Sequence, residues 1–147
     1  MWLTIAASGL LAIAAITGQV VGVYDGDTIT VEFADGTHEH VRLIGIDAPE
    51  LKDNPHAPAH ELGPAARDYL RGLVAGETVG LILGVQERDH YGRLLAYVYL
   101  DGVFINLEMV RAGYAVTYTY PPDVGHAEEF LAAEREARAE GRGLWEK

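Results

Sequence analysis

The chain opens on an apolar run from Trp2 to Ile16, interrupted only by Thr4, Ser8 and Gly9, and no charged side chain precedes Asp25. This run is shorter than the roughly 20 apolar residues a spanning helix needs, and it fits the apolar core of an export signal, with small residues at Ala12-Ile13-Ala14 as a cleavage pattern. A Lys or Arg near Met1, usual in such signals, is missing. Residues 1–18 are therefore expected to act as a signal peptide or membrane anchor, which places the protein outside the cell or in the cell envelope, and residues 19–147 to form the folded domain.

From Gln19 the hydrophobic period shortens to two. Val20, Val21 and Val23 lead into the turn Asp25-Gly26, after which Ile29, Val31 and Phe33 alternate with Thr28, Thr30 and Glu32, the pattern of a β-hairpin. A second turn at Asp35-Gly36 precedes a strand from about His40 to Ile46. The segment from Asp47 to Leu62 carries Pro49, Pro55 and Pro58 among polar residues and reads as an exposed loop. Gly63-Pro64 then opens a helix with apolar positions at Ala66, Tyr69, Leu70, Leu73 and Val74, stopped by Gly76. Val79 to Val85 and Leu94 to Leu100 alternate as a fourth and fifth strand. Asn106 is expected to cap a short helix ending at Gly113, and a last helix runs from about His126 to Glu140 before Gly141. Five short strands, one helix inserted after the third and helices at the end predict an α+β fold: a small β-barrel with peripheral helices, of the OB type.

Composition narrows the chemistry. The 147 residues contain no Cys, which removes thiolate metal sites and disulfides. Eleven Lys and Arg against 22 Asp and Glu give a net charge of -11, the reverse of the basic footprint of a protein that grips polyanions nonspecifically. Any nucleic-acid chemistry must rest on a local site. Three segments supply candidates: Asp25-Gly26-Asp27-Thr28, the run from Arg42 to Glu50, and Asp89-His90-Tyr91-Gly92-Arg93. Asp27, Asp47 and Glu50 could converge on one hard cation that prefers oxygen ligands, and Arg42 and Arg93 could each offer a planar fork to a phosphate. Each segment taken alone also reads as an ordinary turn or surface ion pair. Strict alternation puts Arg42 and Asp47, five residues apart, on opposite faces of a strand, so their convergence requires a bulge or twist near Gly45.

Order and spacing change the picture. From about Val20 to Trp145 the chain resembles the staphylococcal nuclease (thermonuclease) family: Asp-Gly-Asp-Thr at 25–28, the Arg-Leu…Asp-Ala-Pro-Glu run at 42–50, and Asp89…Tyr91-Gly92-Arg93 continuing to Leu95-Ala96-Tyr97. Gly63-Pro64, Asn106, Val110 to Gly113, Tyr118 and Tyr120 before Pro122, His126 and the closing Gly143 to Trp145 agree as well. The resemblance implies a five-stranded OB barrel that hydrolyses DNA and RNA phosphodiesters at the 5′-oxygen side with calcium. It implies calcium binding by Asp27, Asp47 and the Ala48 carbonyl, a residue more often Thr in the family. Glu50 would orient or deprotonate the attacking water, Arg42 and Arg93 would bind phosphate, and Tyr91, Tyr118 and Tyr120 would lie beside the nucleotide. A monomer is expected. The competing reading is a non-catalytic nucleic-acid or protein binding module on the same barrel, and the net charge adds a third: action on short oligonucleotides or small phosphodiesters.

Alternation would set Tyr114, Tyr118 and Tyr120 on one face. His126 reads as structural and His38 and His40 as exposed. The acidic last helix, with a Glu134 to Arg138 pair, reads as a solvated face.

Overall fold

The computed structural model describes residues 2–7, 11–55 and 58–147, with side chains from Ala15 onward. Its strands are β1 (Trp2–Ala7), β2 (Leu11–Asp25), β3 (Thr28–Glu32), β4 (His38–Leu43), β5 (Gly45–Asp47), β6 (Thr78–Arg88), β7 (Leu94–Leu100), β8 (Val103–Phe104) and β9 (Val116–Tyr118). Its helices are α1 (Gly63–Val74), α2 (Ile105–Arg111) and α3 (Ala127–Glu140), with a short 3₁₀ turn at Gly143–Trp145.

Five strands close into a barrel in the order β2-β3-β4-β7-β6, and β6 returns to pair with β2. The pairings are antiparallel except β4 with β7, where Val41 to Leu43 run parallel to Leu94 to Ala96. Closure removes the free edges that a five-stranded sheet would otherwise expose. Alternation fills the interior: Ile29, Val31, Val41, Leu43, Leu81, Ala96 and Val98 are essentially inaccessible, and this layer of branched side chains supplies the principal driving force for closure.

β2 extends beyond the predicted hairpin. Ile16 to Gln19 pair with Leu81 to Thr78, so the strand crosses the expected boundary at residue 18 without a break. Residues 1 and 8–10 of the expected export segment lie outside the described residues, and so do the side chains of the Ala12-Ile13-Ala14 pattern. No helix among the described residues is long and apolar enough to cross a membrane.

α1 follows its pattern, with Pro64 in the first turn and Ala66, Leu70 and Val74 on the buried face. Gly63 lets its start press onto the chain, since a Cβ there would lie 2.5 Å from the Glu50 carbonyl oxygen.

Two expectations need correction. The strand expected from His40 to Ile46 is two strands. Gly45 takes a left-handed φ of +85°, which turns β5 out of the barrel to pair with β9. A Cβ at Gly45 would sit 2.1 Å from the Phe130 ring, so only glycine meets both demands. Asn106, expected as a helix cap, lies inside α2 and is completely buried. Its amide accepts the Val98 N–H at 2.9 Å and donates to the Ile44 and Ala96 carbonyls at 2.9 and 3.2 Å. It thereby ties α2 to β7 and to the β4–β5 bend, which explains a buried polar side chain in an apolar core.

Candidate active site

The twist anticipated at Gly45 brings Arg42 and Asp47 to one side. Arg42 Nη1 donates to the Leu43 and Ile46 carbonyls at 2.7 and 2.8 Å, bracing the bend, while Nη2 lies 3.6 Å from Asp47 Oδ1 and Nε 3.4 Å from Asp27 Oδ1. Asp27 is held from three directions. Thr28 Oγ1 donates to Oδ1 at 2.9 Å, the Ala48 N–H donates to Oδ2 at 2.8 Å, and its own carbonyl accepts the Leu43 N–H at 2.8 Å. The β2–β3 turn and the loop after β5 are thus locked to one carboxylate.

Arg93 comes out of the loop between β6 and β7, next to the strand that carries Arg42. Asp89 organises that loop: Oδ1 accepts the N–H groups of Tyr91 and Arg93 at 2.9 and 3.0 Å, and Oδ2 accepts Arg93 Nε at 2.6 Å. Burial alone would raise the Asp89 carboxyl, but the side-chain and backbone bonds from Arg93 hold it below its ordinary range. With Nε occupied, Arg93 has no bond from either Nη group among the described residues, and both are available as donors. A second brace lies behind the loop. Arg88 forks onto Glu39 of β4 at 2.9 and 2.7 Å and also donates to the Gly92 carbonyl at 2.7 Å.

These elements enclose a cleft of about 700 Å³ lined by Asp27, Arg42, Asp47, Glu50, Arg93, Tyr118 and Tyr120 together with Asp25, Asp89, His90 and Asp123. Tyr118 and Tyr120 stack with ring centres 6.3 Å apart and planes 3° from parallel, and both are exposed at the mouth. Two candidates stand off the lining. Tyr91 is exposed and touches the site through the Arg93 guanidinium, 5.3 Å from its ring centre. Ala48 is buried and reaches it through its main chain.

Tyr114 departs from the expected single face and packs on Tyr69, 4.9 Å away, because the chain between Tyr114 and β9 does not stay extended. Glu134 does pair with Arg138 at 3.1 Å, but it is buried, not solvated, and accepts the Thr117 N–H at 2.9 Å. It therefore anchors β9 to α3. His126 stacks edge-on against Tyr97 and Phe104 and bonds Glu129 at 2.7 Å, a packing role, and His38 and His40 are exposed.

Sequence reasoning missed two members. Asp25 stood within the Asp-Gly-Asp-Thr segment but read as a turn residue, and it does accept the Asp27 N–H at 3.0 Å. Asp123 belongs to no motif; it is buried and accepts the Val85 N–H at 2.6 Å, a partner 38 residues away that no local pattern reveals.

The electrostatics are those of a carboxylate cluster short of positive charge. Burial, and next the neighbouring Asp27, push the Asp25 carboxyl up to about 7. Asp47 is raised by burial and by Asp27, and Glu50 by burial, Asp27 and Asp47. Arg42 is the guanidinium in ion-pair contact with this group among the described residues. An excess of oxygen ligands whose charges cost energy when left together fits a hard divalent cation better than a soft one. No three His, Cys, Asp or Glu side chains among the described residues close around a single point, so the trio of Asp27, Asp47 and Glu50 does not by itself form a cage. Two carboxylates completed by a main-chain carbonyl and water agree with that donor set.

Comparison with known proteins points the same way. Residues 40–147 match the family described as staphylococcal nuclease homologue. The chain is 34% identical over 129 residues to the thermonuclease of Staphylococcus hyicus, covering 88% of this chain and 75% of that protein. It is 35% identical over 125 residues to the thermonuclease of Staphylococcus intermedius, covering 85% and 73%. It is 41% identical over 134 residues to an uncharacterized endonuclease of Escherichia coli O157:H7, covering 90% and 78%.

Proposed function

The chain belongs to the staphylococcal nuclease family, and from that premise we propose that it is a calcium-dependent endonuclease that hydrolyses DNA and RNA phosphodiesters at the 5′-oxygen side. The observation that carries this reading is the gathering of Asp27, Arg42, Asp47, Glu50 and Arg93 around one cleft. A non-catalytic binding module would have no need to keep two arginines and an acid on the same opening.

A phosphodiester is anionic and repels hydroxide, and its charge grows toward the five-coordinate transition state. Arg42, from β4, and Arg93, from the loop that leads into β7, place charge-assisted donors on the non-bridging oxygens, where they stabilise the developing dianion. Glu50 holds the attacking water and accepts its proton. In the metal-free protein its carboxyl is raised by burial and next by Asp27. Asp27, Asp47 and the Ala48 carbonyl would hold the calcium ion, which supplies Lewis-acid polarisation of the phosphate and a fixed point for its orientation. Tyr118 and Tyr120 offer their faces to the flanking bases, since every base has a π-face to stack. Export or anchoring through the N-terminal segment would place this activity outside the cell or in its envelope.

The test is incubation of the full chain with single-stranded DNA and with RNA in calcium and in chelator. Products ending in 3′-phosphate and 5′-hydroxyl, formed only with calcium, support the proposal. Equal digestion in chelator, or products with 5′-phosphate ends, would overturn it.

A further inference from the structure

The cleft is built to hold a phosphate, yet the surface around it is not built to hold a polyanion. Six carboxyls line the opening, Asp25, Asp27, Asp47, Glu50, Asp89 and Asp123, against the guanidiniums of Arg42 and Arg93. Beyond the cleft most of the basic side chains are matched with acids. Arg88 is forked onto Glu39, Arg67 and Arg71 share Asp68 on α1, and Arg111 holds Glu108 on α2. Arg138 pairs with Glu134, and Arg142 with Glu136 and Glu140. The cations without an ion pair among the described residues are Lys52, Arg135 and Lys147. None lines the cleft, and Lys52, two residues beyond Glu50, is the one near it in sequence. The exposed face of α3 adds Glu128, Glu129, Glu136 and Glu140, completing a field of net charge -11.

Binding of long nucleic acid draws its affinity from phosphates neutralised along the strand and the counterions they release. Here such neutralisation is available at the scissile phosphate, from Arg42 and Arg93, and further phosphates would meet paired or acidic surface.

We infer that this enzyme grips the scissile phosphate and no run of phosphates beyond it, so that short oligonucleotides serve as substrates as well as long strands and its efficiency is indifferent to strand length. The inference rests on the nuclease reading and adds the substrate class to it. Stacking on Tyr118 and Tyr120 supplies the remaining hold, which depends little on salt because it is not ionic. Extended contact would require unpaired cations flanking the cleft.

The experiment measures kcat/KM per scissile bond, in saturating calcium, for a tetranucleotide and for a single strand of about twenty nucleotides, between about 50 and about 200 mM salt. The expected result is efficiencies within about fivefold of each other and a log-log salt slope of magnitude about 1 or less, since each single-strand phosphate contributes about 0.7. A larger advantage for the longer strand or a steeper slope overturns the inference and leaves the nuclease reading intact. Failure to hydrolyse either strand overturns both.

Discussion

Arg42 and Arg93 are tethered by different means, the first to two main-chain carbonyls of the bend it braces and the second to the Asp89 carboxylate. Replacing either with Ala removes a donor to the developing dianion, and each is expected to lower kcat by about 10²-fold or more, by analogy with oxyanion-hole donors. Asp89→Asn keeps the guanidinium but loosens its aim, so a smaller loss of about tenfold is expected. Steady-state kinetics on folded variants check both, and equal losses for Asp89→Asn and Arg93→Ala would contradict the assigned roles. Asp25 makes a stability prediction. Its folded value of about 7 lies above the ordinary 3.8, so between those values the native state holds a proton that the unfolded chain has released. The stability from this group is complete below pH about 4 and is lost as pH rises through about 7. In metal-free protein, Asp25→Asn should therefore gain in Tm relative to the parent as pH rises across that window. A constant difference between the two melting curves would contradict it.

At the scale of elements, the site depends on the break between β4 and β5. Gly45→Ala would force a side chain into a left-handed backbone and against the Phe130 ring, and is expected to cost about 2 kcal/mol or more while also displacing Asp47 and lowering kcat. Asn106→Ala removes the partner of the buried Val98 N–H and of the Ile44 carbonyl, while the Ala96 carbonyl keeps the Ile44 N–H, for an expected loss of about 2 to 4 kcal/mol with little change in kcat. Denaturant unfolding and kinetics on the two variants separate these outcomes. Much of the barrel was legible because its signals are local: Asp-Gly turns, period-two runs and Pro64 at a helix start act within a few residues. The break at Gly45 was legible only as a requirement, because Arg42 and Asp47 could not otherwise meet. What escaped depends on partners far along the chain. Asn106 resembles a cap until Ile44 comes within reach, Glu134 looks solvated until Thr117 donates to it, and Asp123 has no visible purpose until β6 passes beside it. The candidate site was legible in its motif residues, while the bracing of Arg93 by Asp89 and by the Arg88–Glu39 fork required the assembled barrel.

For the whole molecule, a net charge of -11 favours solubility and opposes compaction through self-repulsion, and the carboxyls around the cleft concentrate that strain where a cation would relieve it. A ligand that binds the folded state alone raises Tm by mass action, so calcium should stabilise this chain more than an equal ionic strength of monovalent salt. The most direct test is a calorimetric titration of calcium into the parent and into Asp47→Asn, a half-buried position whose loss the fold can tolerate. One bound ion per chain, with affinity at least about tenfold weaker in Asp47→Asn, is the predicted result. Equal affinity in the two proteins, or no binding to the parent, would contradict the cleft as the seat of the cation.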